Sequence, residues 1–92
     1  MIRSFRCKDT QALFETGRSR RFGALLGVAT RKLTLLDAAS TLGFLRSPSG
    51  NRLEALSGDR DGQHSIRIND QFRICFRWTD EGPEDVEIVD YH

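Results

Sequence analysis

Gln71-Phe72-Arg73-Ile74-Cys75-Phe76-Arg77-Trp78-Thr79 decides the fold. Phe72, Ile74, Phe76 and Trp78 alternate with Arg73, Cys75 and Arg77. That period of two marks a strand with one apolar and one polar face. Four large apolar groups cannot all face water, so they cover a core, and Arg73 and Arg77 point away from it. Upstream, Asn69-Asp70 is a tight-turn signal, and Gln63 to Ile68 alternates again, with His64, Ile66 and Ile68 on one face and Arg67 on the other. Downstream, Asp80-Glu81-Gly82-Pro83 turns the chain into Val86-Glu87-Ile88-Val89, which runs straight into Asp90-Tyr91-His92. With Val86 and Ile88 inward, Glu87, Val89 and Tyr91 point outward. Asn51 to Leu56 reads as a further strand, and Ile2 to Phe5 as a short first one.

The first half carries the helical period instead. Asp9 reads as an N-cap and Gly17 as a stop, with Leu13 and Phe14 facing inward. Phe22, Leu26, Ala29, Leu33 and Leu36 recur at helical spacing and Ala39 extends the stripe, which places the longest helix over residues 23–40. A short helical turn follows at Leu42 to Leu45, and Ser47-Pro48-Ser49-Gly50 breaks it. Two helices followed by a meander give an α+β fold. Both helices pack on one face of a mostly antiparallel sheet of four to five strands. The 92 residues form one domain, residues 1–92, with one modest core.

The net charge of +1 conceals a strong segregation. Residues 1–40 hold eight basic and three acidic groups, whereas residues 80–92 hold six acids and no base. Twelve of the fourteen basic residues are arginine, whose planar fork matches phosphate. An arginine-rich body with an acidic tail points to phosphate recognition at a local face rather than over the whole surface. The competing reading is a solvated arginine surface laced with ion pairs. Cys7 and Cys75 lack metal-ligand or C-x-x-C spacing, which fits two reduced thiols. No apolar run approaches ~18 residues and no leader pattern opens the chain, so a cytoplasmic, membrane-free protein is expected.

Asp90, Tyr91 and His92 are three groups able to move protons, delivered by a rigid strand. Strand parity sets Arg67, Arg73 and Tyr91 on one sheet face. RNA carries its own nucleophile, the ribose 2′-hydroxyl beside each phosphate. Cleaving it without a metal needs a base for that proton, fixed positive charge for the transition state, and an acid for the leaving 5′ oxygen. Arg73 suits the charge role; Asp90, Tyr91 and His92 are candidates for the proton transfers. His64 suits a structural place in its strand, and Trp78 a place in the core. The two histidines lack metal-ligand spacing and no Gly-rich phosphate loop occurs, so neither metal nor cofactor is expected.

Several stretches together resemble the HigB branch of the RelE-type toxins: Gly50-Asn51-Arg52-Leu53-Glu54-Ala55-Leu56-Ser57-Gly58-Asp59-Arg60, Ser65-Ile66-Arg67-Ile68-Asn69-Asp70-Gln71-Phe72-Arg73-Ile74-Cys75-Phe76, the ending Glu87-Ile88-Val89-Asp90-Tyr91-His92 and the opening Ile2-Arg3-Ser4-Phe5. The likeness spans essentially the whole chain. It implies a RelE-like fold and a toxin of a type II toxin–antitoxin pair, similar in action to ribosome-dependent mRNA endonucleases. It maps active-site roles onto Arg73, Asp90, Tyr91 and His92. Phosphate or RNA contacts are expected at Arg67, Arg60, Arg77 and Glu54. It implies as partners the ribosome with its mRNA and a HigA-like helix-turn-helix antitoxin. Operator DNA would be bound only through the toxin–antitoxin complex. Some relatives carry histidine where Glu54 stands and lysine where Ser57 stands, so a slower or differently tuned nuclease is expected. Two other functions compete: a ParE-like toxin that acts by binding a topoisomerase, and a catalytically weak co-repressor of its antitoxin. A proton-transfer trio beside Arg73 favours cleavage, since a pure binder has no use for one.

Overall fold

The alternating residues form an antiparallel hairpin in the computed structural model, which describes residues 1–47 and 49–90, and of Ser49 only the backbone. Strand β2 (His64–Arg67) pairs with β3 (Phe72–Thr79), Ser65 opposite Cys75 and Arg67 opposite Arg73. Asn69 holds the turn between them: its Oδ1 accepts the N–H groups of Gln71 and Phe72 at 2.9 and 2.8 Å, the local bonding that makes asparagine a turn residue. Strand β4 (Gly82–Asp90) lies on the other side of β3, and β1 (Glu54–Ala55) flanks β2. The sheet order is β1-β2-β3-β4, every pair antiparallel.

Two expected strands are shorter than their sequence pattern suggested. Of residues 51–56 only Glu54–Ala55 pair, because Asn51 closes a 3₁₀ turn and Arg52 adopts φ 46°, which is incompatible with extended backbone. Residues 2–5 contribute a single parallel bridge, Phe5 to Val86. The Val86 N–H donates to the Ser4 carbonyl at 3.1 Å and the Arg6 N–H to the Val86 carbonyl at 3.0 Å.

The helices lie close to their expected places. Helix α1 spans Lys8–Thr16, and Gly17, at φ 72°, ends it by donating its N–H to the Leu13 carbonyl at 2.8 Å. Asp9 is not the cap. Cys7 occupies that position without a side-chain bond, and Asp9 sits in the first turn, where negative charge still suits the helix dipole. The second helix starts later than expected: Gly23–Leu25 form a 3₁₀ turn and α2 runs Leu26–Ala38. A 3₁₀ turn follows at Leu42–Arg46, capped by the Thr41 hydroxyl accepting the Phe44 N–H at 3.2 Å.

One face of the sheet buries the helical stripe. Leu13, Phe22, Ala29, Leu33 and Leu36 meet Ile66, Ile74, Phe76, Val86 and Ile88, none more than 3% exposed. Each such side chain contributes about 1.5–3 kcal/mol on burial. Phe72 and Trp78 close the ends of this layer half-buried, and Phe72 meets Phe22 edge-on at 6.2 Å. The core places of Phe76 and Trp78 agree with the sequence reading, as does His64, stacked on Phe76 at 6.3 Å. A bulge in β4 keeps the parity intact. Cys75 pairs with Glu87 but Arg77 with Glu84, and Asp85, at φ 54°, absorbs the extra residue. Without that residue Val86 and Ile88 would turn outward.

Candidate active site on the outer face of the sheet

Arg73, the second residue of β3, projects onto the face away from the helices, as alternation requires. It is nonetheless buried, at 8% exposure, where the sequence suggested an exposed strand face. The reason lies in its bonds. Nε donates to the buried Ser65 hydroxyl at 2.7 Å, and Nη2 donates to the Arg52 carbonyl at 2.6 Å. Ser65 lies diagonally across the β2–β3 pair, within reach of a long side chain. A buried cation without partners would be prohibitive, so these acceptors are what allow the guanidinium to sit where it does. The same bonds fix its plane, the condition for stabilising charge that develops at one point.

Glu54 completes the group. It lies opposite Ser65 on β1, hence on the same face, and its Oε1 stands 3.9 Å from Arg73 Nη2. The carboxylate is half-exposed. At that separation the pair attracts without the directed bond that would occupy the carboxylate's lone pairs. A solvent-reachable carboxylate beside a fixed guanidinium is an arrangement able to take a proton next to a bound phosphate.

The register treats the other expected residues differently. Val89 is opposite Arg73 and Asp90 opposite Phe72, so Asp90 belongs to the helix-side face and Arg73 to the outer one. The exposed Asp90 carboxylate accepts from Gln71 Nε2 at 3.1 Å. The expected meeting of Asp90 with Arg73 in one pocket is therefore not what the strand pairing gives, because consecutive strand residues point oppositely. Tyr91 and His92 lie outside the described residues.

Arg60, from the 3₁₀ turn Gly58–Arg60, folds back over the outer face. It donates to Gln63 Oε1 at 3.0 Å and to Glu87 Oε1 at 2.8 Å, so its charge is engaged within the fold. This loop covers Cys75, which is fully buried although it faces outward. Burial raises the Cys75 thiol above its ordinary range, Glu87 adding to the effect and Arg60 and Arg73 opposing it. Arg67 stands directly opposite Arg73, and its guanidinium bonds the exposed Asp70 carboxylate across the turn. Arg77, opposite Glu84, lays its guanidinium over Gly62: a Cβ there would meet Nη1 at 2.7 Å. Among the described residues, no group of three or more His, Cys, Asp or Glu side chains is placed to hold a metal ion.

Two residues that build the site were missed in the sequence. Ser65 was discoverable, since a small hydroxyl at an outward strand position beside an arginine is a ready acceptor. Arg52 was not, because arginine carries no signal for a left-handed backbone.

Comparison with known proteins gives a consistent family. The model of RelE-like toxins of the type II toxin–antitoxin system HigB matches residues 3–92. The chain is 38% identical to Toxin HigB-1 of Vibrio cholerae serotype O1 over 82 residues, covering 87% of this chain and 86% of that one. It is 31% identical to Endoribonuclease HigB of Proteus vulgaris over the full length of both.

Proposed function

The chain belongs to the HigB family of RelE-like toxins of type II toxin–antitoxin systems, and on that premise we propose that it is a metal-independent endoribonuclease cutting mRNA on the ribosome. The observation that carries this reading is the Arg73 pocket. A nearly buried guanidinium is held by Ser65 and the Arg52 carbonyl, with the Glu54 carboxylate 3.9 Å away. In the reaction, Glu54 takes the proton of a ribose 2′-hydroxyl. The freed oxygen attacks the adjacent phosphorus. Arg73 stabilises the added charge on the phosphoryl oxygens. The bond from phosphorus to the 5′ oxygen breaks, and that oxygen takes its proton from Tyr91 or His92. The products are a 2′,3′-cyclic phosphate and a 5′-hydroxyl. Each proton transfer by a positioned group contributes about 10²–10⁴-fold.

Membership of a type II pair gives this toxin an antitoxin as partner. The finer assignments follow the resemblance: a HigA-like helix-turn-helix antitoxin, operator DNA met only through the complex, and cytoplasmic ribosomes as the place of action. No helix among the described residues is long and apolar enough to cross a membrane.

Cut sites mapped on mRNA in a translating extract test the proposal. Arg73→Ala is expected to slow cleavage about 10²–10³-fold, the usual cost of losing one transition-state donor. Glu54→Gln should slow it too, and deleting His92 should remove the fall in rate on the alkaline side of the pH–rate profile, where a general acid loses its proton. Replacing Glu54 with His and Ser57 with Lys together is expected to speed cleavage. Growth inhibition that persists in Arg73→Ala without any cuts would sink the nuclease reading in favour of a toxin that acts by binding.

A further inference from the structure

A basic side chain joins α2 to the 3₁₀ turn ending at Asn51, which leads into β1. Arg31 and Lys32 project from α2 and line one shallow groove with Thr34, Leu35 and Ala38. Lys32 Nζ reaches across to the Oδ1 of the buried Asn51, whose Nδ2 donates to the Leu45 carbonyl at 3.2 Å. The residue after Asn51 is Arg52, whose carbonyl clasps Arg73. Two consecutive residues thus tie the helix amine to the guanidinium of the candidate active site. Arg67 adds a third cation from β2, directly opposite Arg73. Burial lowers the Lys32 amine below its ordinary value, and the charges of Arg31 and Arg67 lower it further. Acids are sparse here: Asp70, fully exposed, neutralises Arg67 only in part. Most of the acidic tail lies elsewhere, at the far end of the β3–β4 hairpin.

We propose that Arg31, Lys32 and Arg67 form a phosphate track that carries the RNA strand flanking the cleavage junction along the α2 edge of the sheet. The inference rests on the nuclease reading for the identity of the strand. It adds a subsite that Arg73 and Glu54 do not supply. Crowded like charges destabilise one another in the free protein. Binding a polyanion relieves that repulsion, so the cost of assembling the cluster is recovered on binding. Arg31 is exposed and bonds nothing among the described residues, so it is free to make a forked contact with a phosphate. Lys32 is held in place by Asn51 and acts as a point charge.

The test is binding of a uniformly 2′-O-methylated single-stranded RNA, which lacks the nucleophile and cannot be cut, over a range of salt. For single strands, log K falls with log salt by roughly 0.7 per phosphate neutralised. Arg31→Gln combined with Lys32→Gln should therefore lower that slope by about 1.4 and weaken binding at low salt. Arg31→Gln alone, on an exposed residue that leaves Asn51 satisfied, should lower it by about 0.7. Lys32→Arg should restore most of the loss. On translating ribosomes Arg31→Gln should raise KM and leave kcat unchanged. An unaltered slope in Arg31→Gln, with an unaltered melting curve, overturns the track whatever the cleavage assay gives. A reduced slope in a protein that cuts no mRNA keeps the track and removes the nuclease reading.

Discussion

At the scale of single residues, the site depends on a backbone atom. Arg52 holds Arg73 through its carbonyl, and it does so from a left-handed conformation that costs a residue with a Cβ about 1–2 kcal/mol. Glycine adopts that conformation freely but loses roughly 0.5–1 kcal/mol in chain entropy. Arg52→Gly is accordingly expected to leave stability almost unchanged and to keep cleavage, whereas Arg52→Val should lower both. A folded Arg52→Gly protein without activity would mean that the side chain, not the carbonyl, serves the reaction. Cys75 offers a second residue-scale expectation. Its thiol is raised in the folded protein, so the folded state favours the neutral form. That stabilisation is complete below the unfolded thiol value of ~8.5 and disappears as pH climbs from there through the raised folded value. Urea titrations at neutral and alkaline pH should show the loss, and Cys75→Ala should flatten it. Sequence reading found Arg73 because alternation alone assigns its face. It missed how deeply that residue is held, because burial here comes from a diagonal serine and a loop carbonyl, and neither is encoded in the local period.

At the scale of elements, the pattern was legible wherever one period ran uninterrupted. The β3 alternation and the Phe22-to-Ala39 stripe are both realised as core. Gly17 ends α1 as its chemistry requires. The failures occur where the backbone departs from regularity. Arg52 cuts β1 to two residues, and Asp85 puts a bulge into β4. Register, which a sequence does not display, assigns Asp90 to the face away from Arg73. The elements are also joined by side-chain bonds that protect the sheet. Beyond the single bridge at Phe5, the outer edge of β4 is met by Arg3 and Ser4 and by α1: the Ile88 N–H donates to the buried Thr10 hydroxyl at 3.0 Å. An unpaired edge invites pairing with other chains. Thr10→Val keeps the shape and strands a buried donor, which should cost about 1–3 kcal/mol in a denaturant titration. Thr10→Ser should recover most of it. A Thr10→Val protein of normal stability would show that water reaches Ile88 instead.

At the scale of the whole molecule, charge is laid out along β3. Arg73 lies near one end; Asp80, Glu81, Glu84 and Asp85 cluster about the turn at the other. These four acids of the tail therefore stand away from Arg73 and Glu54. Of the remaining two acids, Glu87 is spent on Arg60 and Asp90 accepts from Gln71. Eight strand residues span roughly 25 Å, beyond the screening length of about 8 Å at physiological salt. Neutralising Asp80, Glu81 and Glu84 together (D80N/E81Q/E84Q) should therefore speed RNA association at low salt and change nothing at physiological salt. An effect that survives salt would place those acids closer to the RNA than the fold allows. The single bridge between Phe5 and Val86 has one more consequence. Its partners are 81 residues apart, and β4 leaves the exit tunnel of a synthesising ribosome after every other element of the sheet. Until it does, β3 has β2 on one side only, α1 lacks the N–H it bonds, and the opening segment lacks its bridge partner. The nascent polypeptide is thus expected to remain unfolded until β4 has emerged.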